Sequence, residues 1–157
     1  MNNIDIDTHD IDLPPWSKNV SKFAKKVLKE IGKNDWEFSI ILCDDKFMTG
    51  LNSQYRSKKE PTDILSFKLG QYLPTVKGDE KKVYIPGDIV ISLETLSKNA
   101  KKFKITQDEE LRRLIIHGIL HLDDMNHETN DSREPMLTLQ EEILAKLGNE
   151  QIIGGKK

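Results

Sequence analysis

The sequence has little of what marks secreted or membrane-bound proteins. It contains one cysteine, Cys43, so an internal disulfide is excluded. It has no apolar run near the roughly eighteen residues that a membrane-spanning helix needs. Its first residues, Met-Asn-Asn-Ile-Asp-Ile-Asp, lack the basic and apolar regions of a signal peptide. We therefore expect a cytoplasmic protein that does not associate with membranes, in which Cys43 is a buried, inert thiol.

The chain also lacks an excess of charge of either sign. Its 24 basic and 26 acidic residues leave a net charge of −2, so binding to nucleic acid would have to come from a local patch. A length of 157 residues suits one domain with a sizeable core.

The hydrophobic pattern predicts alternating strands and helices. Strands are expected near residues 4–7, 36–43, 64–67 and 87–92. One helix follows Trp16, one is capped by Asp44, one begins at Leu93, one begins near residue 107 after a Thr106 capping box, and the last is capped by Ser132. Residues 68–82 suit a hairpin or a flexible excursion. The predicted class is α+β: a single domain over residues 1–157 with a small mixed β-sheet, helices packed around it, and a frayed tail from about residue 150.

Three of the four histidines lie within eleven residues, in the run HGILHLDDMNH from His117 to His127. His117 and His121 are four residues apart on a predicted helix, so their side chains share one face. His127 can join them only if the chain turns back after the helix, which the polar residues 123–126 allow. Three neutral imidazoles with one open position are the usual ligands of catalytic zinc.

A less specific interpretation treats these histidines as hydrogen-bonded core residues or as plain surface residues. The predicted helix is apolar on most sides, and a buried imidazole requires a polar partner. The third histidine at a suitable spacing favours the metal site. We therefore predict one Zn²⁺ ion per chain, or another divalent transition metal such as Ni²⁺, held by His117, His121 and His127.

Three sequence blocks resemble those of the YbeY family of bacterial metal-dependent endoribonucleases. The histidine run is similar to the family pattern H-G-x-L-H-L-x-G-Y-D-H. The segment LNSQYRSKKEPTDILSF, from Leu51 to Phe67, resembles L-N-x-x-[FY]-R-x-K-[DE]-x-P-T-[DN]-V-L-S-F. The segment from Gly87 to Ile91 resembles G-D-[IL]-V-I. The blocks occur in the expected order and span most of residues 36–148.

The chain departs from the histidine pattern at three adjacent positions. Asp124 replaces a glycine, Met125 a tyrosine and Asn126 an aspartate. If the glycine serves a left-handed turn, aspartate is among the few residues that tolerate one. The aspartate lost at position 126, next to His127, could serve as a supporting hydrogen-bond acceptor at the metal site, and asparagine replaces it only in part.

The resemblance implies a metal-dependent endoribonuclease that cleaves single-stranded RNA, matures the 3′ end of small-subunit ribosomal RNA and takes part in ribosome quality control. Its implied partners are that RNA, the small ribosomal subunit and assembly factors. It also implies that Arg56 lies in the active-site groove as a catalytic residue, since arginine presents a two-pronged donor to phosphate. Without the resemblance, Arg56 would be read as a solvated charge at a helix end.

Further lysines could form a phosphate-binding rim around such a groove. Lys58 and Lys59 follow Arg56, and four more precede the histidine helix: Lys98, Lys101, Lys102 and Lys104. A solvated helix face explains the second group equally well. The general base is not evident from the sequence; Asp123, Asp124 and Glu128 are candidates, although each also suits a turn or surface carboxylate.

Two other functions remain open at this point. In one, the protein is a non-catalytic ribosome-assembly factor whose metal is structural, with Asp123 or Asp124 as a fourth ligand. In the other it is a zinc metalloprotease. The usual protease motif H-E-x-x-H places a glutamate after the first histidine, whereas this chain has Gly118, which argues against peptide hydrolysis.

Overall fold

The computed structural model describes residues 1–74 and 82–153. Within them the chain forms four strands and five helices. The strands are β1 (Asn3–His9), β2 (Glu37–Cys43), β3 (Ile64–Pro74) and β4 (Lys82–Ser92). The helices are α1 (Ser17–Glu30), α2 (Asp45–Arg56), α3 (Leu93–Phe103), α4 (Gln107–Leu122) and α5 (Pro135–Lys146). In this part of the chain no helix is long and apolar enough to cross a membrane.

The strands form one mixed sheet in the order β1-β2-β4-β3. β1, β2 and β4 run parallel, and β3 pairs antiparallel with β4 along a register from Ile64 opposite Ile91 to Pro74 opposite Lys82. The predicted α+β class with a small mixed sheet in a single domain is confirmed. The hairpin predicted for residues 68–82 is present as the paired arms of β3 and β4, and its tip, including Lys77 to Glu80, lies outside the described residues.

Helices cover the sheet on both sides. The larger core packs α1, α4 and α5 against apolar side chains of β2 and β4, and it buries α4 so thoroughly that Ile115, Ile116, Ile119 and Leu120 have no exposed surface. A smaller cluster lies against α2: Cys43, Met48, Leu65 and Val90. Burial raises the pKa of the Cys43 thiol to about 12, with the charge of Asp44 as the next cause. The predicted buried thiol is therefore confirmed.

Helix α4 lies unusually close to the sheet because Gly118 has no side chain. A Cβ at this position would come within 2.9 Å of the Ile89 Cδ1 atom and 3.0 Å of the Ile64 Cδ1 atom. Such distances are shorter than ordinary van der Waals contact. Gly118 thus lets the histidine-bearing part of α4 rest directly on β3 and β4.

Most of the predicted helix boundaries hold, and two predictions near the C-terminus are wrong. Asp44 and Thr106 cap α2 and α4 as predicted, each by accepting a hydrogen bond from a backbone N–H. Ser132 does not cap the last helix, which begins only at Pro135, since a proline is well suited to the first helical position.

The tail is not frayed as far as it is described. Ile152 is buried, and the backbone N–H groups of Ile152 and Ile153 donate to the Asp108 carboxylate at 2.7 and 2.8 Å. The hydrophobic residue and the paired amides anchor this segment against α4. Residues 154–157 lie outside the described residues.

Candidate metal centre

A tight turn at the end of α4 brings the third histidine back towards the first two. The N–H of Asp124 donates to the His121 carbonyl and the N–H of Met125 to the Leu120 carbonyl, both at 3.0 Å. This pair of hydrogen bonds defines a Schellman motif, in which the first residue beyond the cap is left-handed. Asp124 has a φ of 65°, so the left-handed turn predicted at this position is confirmed.

The turn places the three imidazoles around one point. One ring nitrogen from each of His117, His121 and His127 lies within 4.8 Å of the other two. The Nε2 atoms of His117 and His121 are 3.1 Å apart. All three side chains are partly buried. The histidine residues that the sequence singled out therefore form one cluster that could hold a metal ion.

Each imidazole is oriented by a hydrogen bond on its Nδ1 atom. His117 Nδ1 lies 2.7 Å from the Gln140 side-chain oxygen, His121 Nδ1 lies 3.0 Å from the Met125 carbonyl, and His127 Nδ1 lies 2.7 Å from the Thr129 carbonyl. These oxygens can only accept, so each Nδ1 carries the proton. The Nε2 atoms are then unprotonated, which is the form in which histidine binds a metal.

The donor set fits a divalent transition metal. Two bare Nε2 lone pairs facing each other at 3.1 Å repel unless a cation lies near both. With metal–nitrogen distances of about 2.0–2.1 Å, two ligands of a tetrahedral site stand roughly 3.3 Å apart. The spacing of His117 and His121 is therefore close to the one that such an ion requires.

The surroundings of His117 and His121 favour their neutral form. Burial lowers the pKa of His117, and the Gln140 hydrogen bond opposes that shift only in part. Burial, followed by the charge of His117, lowers the pKa of His121 to about 4. Since only a neutral imidazole binds a metal, the site is ready for an ion at neutral pH.

A cleft of about 890 Å³ opens beside the cluster. Its lining includes the three histidines, Arg56 at the end of α2, and Lys68 on β3. Arg56 is exposed and makes no ion pair with any described residue. The loop after it is held by Asn52, whose side-chain amide donates to the Glu60 carbonyl at 2.8 Å. The structure thus places an unpaired guanidinium and the histidine cluster in one cleft.

No carboxylate completes the cluster within residues 1–74 and 82–153, where the only group of at least three metal-binding side chains is the histidine trio. Asp123 forms an ion pair with Lys33, and Asp124 forms one with Lys68, both at 3.3 Å. The fourth ligand expected from Asp123 or Asp124 in a structural site is therefore not found, and the site is open.

Residue 126 is not the hydrogen-bond partner of the His127 ring in this structure. The acceptor for His127 is the Thr129 carbonyl, so replacing an aspartate at 126 does not deprive His127 of its partner. Asn126 instead lines the cleft. The Nδ1 hydrogen bond of His127 therefore depends on a backbone carbonyl, which no substitution removes.

The sequence analysis missed two residues beside the histidines. Gln140 belongs to α5, and its spacing from His117 gives no sequence signal of their contact. Asp63 lines the cleft, and its carboxylate accepts a hydrogen bond from Asn99 at 3.3 Å. The suggested bases Asp123, Asp124 and Glu128 are not among the described lining residues. Asp63 lay within the Leu51–Phe67 block, so that block was the signal that could have identified it.

The lysines that the sequence predicted for a phosphate-binding rim do not line the described cleft. Lys68, which the sequence did not single out, lines the cleft. Lys98 instead pairs with Asp45 at 2.9 Å, so it helps to join α3 to α2. Among the described residues that line the cleft, none comes from the predicted set: Lys58, Lys59, Lys98, Lys101, Lys102 and Lys104.

Comparisons with known proteins agree with this geometry. A family model described as Endoribonuclease YbeY matches residues 2–148. The chain is 44% identical to the endoribonuclease YbeY of Treponema denticola over 144 residues, which is 90% of this chain and 92% of that protein. It is 46% identical to the protein of the same name from Borreliella burgdorferi (strain ZS7) over 125 residues, covering 78% and 81% of the two chains. A solution structure from Thermotoga maritima shares 29% identity with a TM-score of 0.56, covering 98% of this chain and 99% of that one.

Proposed function

This chain belongs to the endoribonuclease YbeY family, and on that premise we propose that it is a metal-dependent endoribonuclease that cleaves single-stranded RNA. The observation that carries the proposal is the shared cleft, in which three imidazoles with free Nε2 atoms lie beside the exposed Arg56. A metal-ligand cluster and a guanidinium in one cleft suit a phosphodiester substrate, because both groups counter negative charge.

We propose that His117, His121 and His127 hold a zinc ion or another divalent transition metal. When bound, such an ion supplies Lewis-acid chemistry: it makes water more acidic and offsets negative charge on phosphate oxygens. The three Nδ1 hydrogen bonds to Gln140 and to backbone carbonyls keep the ligand rings in place. The site would therefore not need to rearrange when the ion binds.

Arg56 is proposed to bind the phosphate at the cleavage site. Its guanidinium is always charged and can donate two parallel hydrogen bonds to phosphate oxygens. As negative charge grows on those oxygens during the reaction, the same hydrogen bonds strengthen, which lowers the barrier. A lysine would supply the charge but not the two-pronged geometry.

Asp63 is proposed to position the attacking group. It is the acidic residue among those that line the cleft. The family pattern allows either aspartate or asparagine here, and the property they share is a side-chain oxygen that accepts a hydrogen bond. We therefore assign Asp63 a positioning role, and leave proton abstraction without an assigned residue.

The biological substrate is proposed to be small-subunit ribosomal RNA, with roles in maturing its 3′ end and in ribosome quality control. This part of the proposal rests on the sequence resemblance alone. The partners would be the small ribosomal subunit and assembly factors, and the site of action the cytoplasm, where ribosomes are assembled.

The test is a cleavage assay with unstructured and fully paired RNA. Zinc-loaded wild-type protein is expected to cut the unstructured RNA, to lose activity on chelation, and to regain it when metal is restored. Arg56→Ala is expected to retain metal and fold while cleavage falls by about 10²-fold or more. Arg56→Lys should recover only part of the activity.

The controls separate this function from a structural one. His117→Ala, purified alongside the wild type, measures contaminating nuclease, and its activity should be at background. Wild-type protein that binds metal and small subunits but cuts no RNA would overturn the proposal and favour the non-catalytic assembly factor. Unchanged cleavage by Arg56→Ala would place the arginine outside the site.

A further inference from the structure

We propose that Tyr72 and Tyr84 form a stacking platform for an unpaired RNA base beside the metal cleft. The inference rests on the proposed function, because it adds a second contact on the same RNA. The two residues face each other across the antiparallel pair of β3 and β4, and their ring centroids are 4.8 Å apart.

The inner ring of the platform is fixed in place by the core. Tyr84 packs against Trp36 with 5.5 Å between the ring centroids, and the backbone N–H of Tyr84 donates to the Asp35 carbonyl at 2.8 Å. Trp36 is itself buried in the larger core. A ring held in this way loses little freedom when a ligand binds, which favours affinity.

The outer ring is open to a ligand. Tyr72 is 65% exposed although its ring touches Tyr84. An exposed aromatic ring on a rigid support is what proteins that bind single strands offer to a nucleobase, since every base has a π-face. Stacking of this kind tolerates any sequence, which suits a nuclease that acts on unpaired RNA.

The platform and part of the cleft lining lie on the same strand, β3. Ser66 and Lys68 line the cleft, and Tyr72 lies four residues beyond Lys68 on the same strand. At about 3.3 Å per residue this is at most roughly 13 Å, a gap that an extended single strand crosses within a few nucleotides.

A β-bulge between the cleft lining and Tyr72 changes the direction in which the side chains of β3 point. The register shifts between Lys68 and Gln71, with Gly70 left-handed at a φ of 70°. A Cβ at Gly70 would lie 3.4 Å from the Tyr84 hydroxyl. Such bulges redirect side chains near functional sites. Lys68 lines the cleft on the side of the platform and pairs with the Asp124 carboxylate at 3.3 Å; a phosphate of the intervening RNA would compete with Asp124 for its charge.

The ligand assigned to this surface is a base of the RNA whose backbone lies in the cleft. Leu69 and Leu73 are also exposed nearby, so a protein partner is the alternative that the test must be able to reveal. The position of the platform on the same strand as Ser66 and Lys68 favours RNA, because one extended ligand can then reach Arg56 and Tyr72 together.

The experiment measures kcat/KM on single-stranded RNAs that carry one abasic nucleotide at successive positions. With wild-type protein, one position a few nucleotides from the cut is expected to lower kcat/KM by about 5- to 150-fold, the range for one lost base stack. Tyr72→Ala should show the same loss on intact RNA and no further loss at that abasic position. Tyr72→Phe should behave like wild type, since the ring is kept.

The matched control is Phe103→Ala, which removes an exposed aromatic residue at the end of α3 and should change nothing. Two results would contradict the platform while leaving the proposed function intact, provided that wild-type protein cleaves RNA. In one, Tyr72→Ala has the same kcat/KM as wild type. In the other, the loss of kcat/KM caused by Tyr72→Ala adds fully to the loss caused by an abasic nucleotide at every position. Either result would also turn attention to a protein partner for this surface. If wild-type protein cleaves no RNA, the proposed function fails first, and the platform fails with it.

Discussion

The two ends of α4 are built for different purposes. At its N-terminal end the polar groups find partners within the protein: Thr106 caps the helix, Arg112 pairs with Asp108 at 2.8 Å, and Arg113 pairs with Glu141 at 2.9 Å. At its C-terminal end His117 and His121 satisfy one ring nitrogen each and leave the other facing a neighbouring imidazole. Polar groups that are paired within the protein stabilise the fold, whereas imidazole nitrogens with free lone pairs can bind a ligand.

The two ends are joined by a short chain of side chains. Arg113 holds the Glu141 carboxylate, Glu141 accepts from the Gln140 amide nitrogen at 3.0 Å, and the Gln140 oxygen accepts from His117. The ion pair at one end thus fixes which way the Gln140 amide points at the other. The comparison predicts that substitutions at the N-terminal end outside this chain of side chains change stability, whereas those at the C-terminal end change metal binding.

The largest effect is expected at Gly118, where a substitution should change both stability and zinc affinity. Gly118→Ala places a Cβ against Ile89 and Ile64, and such overpacking should lower the free energy of unfolding by about 1–3 kcal/mol. Because α4 must move, zinc affinity should fall as well. Chemical denaturation and zinc titration measure the two effects.

Gly50→Ala is the matched control for this change. Gly50 is an exposed helical glycine with open space around its Cβ position, so alanine should raise the free energy of unfolding by about 0.5–1 kcal/mol. If both alanine variants had the same stability, close packing at Gly118 would not be what the helix requires.

A substitution of Gln140 should change metal binding at the C-terminal end of α4. Gln140→Leu removes the acceptor for His117 Nδ1, and loss of such a supporting group should weaken zinc binding by about 10- to 100-fold. Isothermal titration with zinc measures this change in affinity.

Arg112→Leu, at the other end of α4, should lower the free energy of unfolding by about 1.5–3 kcal/mol and leave the zinc affinity unchanged. Loss of zinc affinity in Arg112→Leu but not in Gln140→Leu would contradict the claim that the C-terminal end of α4 determines metal binding.

Acid should lower the stability of the metal-free protein, because His121 takes up a proton more readily when the chain is unfolded. The pKa of His121 is about 4 when folded and ~6.5 when unfolded, so below pH 6.5 the unfolded chain binds more protons. The stability that this difference contributes is complete above ~6.5 and is lost as the pH falls towards 4. Thermal unfolding of chelator-treated protein from pH 7 to pH 4 should show this loss, and His121→Asn should reduce the slope. An equal slope in both proteins would mean that His121 titrates normally.

The smallest effect is expected in the turn after α4. Asp124→Gly relieves a left-handed residue at φ 65°, worth about 1–2 kcal/mol, and the greater freedom of glycine in the unfolded chain offsets about 0.4–1 kcal/mol. The melting temperature should therefore rise slightly while metal content stays the same. Loss of metal in this variant would show that Asp124 is a ligand after all, and would restore the closed, structural site.

The sequence was sufficient for features that depend on near neighbours in the chain. The capping residues Asp44 and Thr106 and the apolar face of α4 were predicted because each depends on a few adjacent residues, whereas the left-handed Asp124 was expected only from the family glycine at its position. The spacing of His117, His121 and His127 led to their cluster for the same reason.

Features that join distant segments could not be predicted in this way. Gln140 approaches His117 only because α5 packs on α4, and the docking of Ile152 on Asp108 likewise joins segments 44 residues apart. The Thr129 carbonyl that holds His127 is a backbone group with no signature in the sequence. The sequence similarly gave no means to place Arg56 near the histidines, and only the resemblance led to that expectation.

The central claim is that His117, His121 and His127 together hold one divalent ion, and metal analysis of purified protein tests it most directly. Wild-type protein dialysed against zinc should retain one equivalent per chain, and so should His9→Ala, which changes the fourth histidine, stacked on Phe47 near the other edge of the sheet. His121→Ala should remain folded by circular dichroism and retain little or no zinc. Full zinc occupancy in folded His121→Ala would contradict the account.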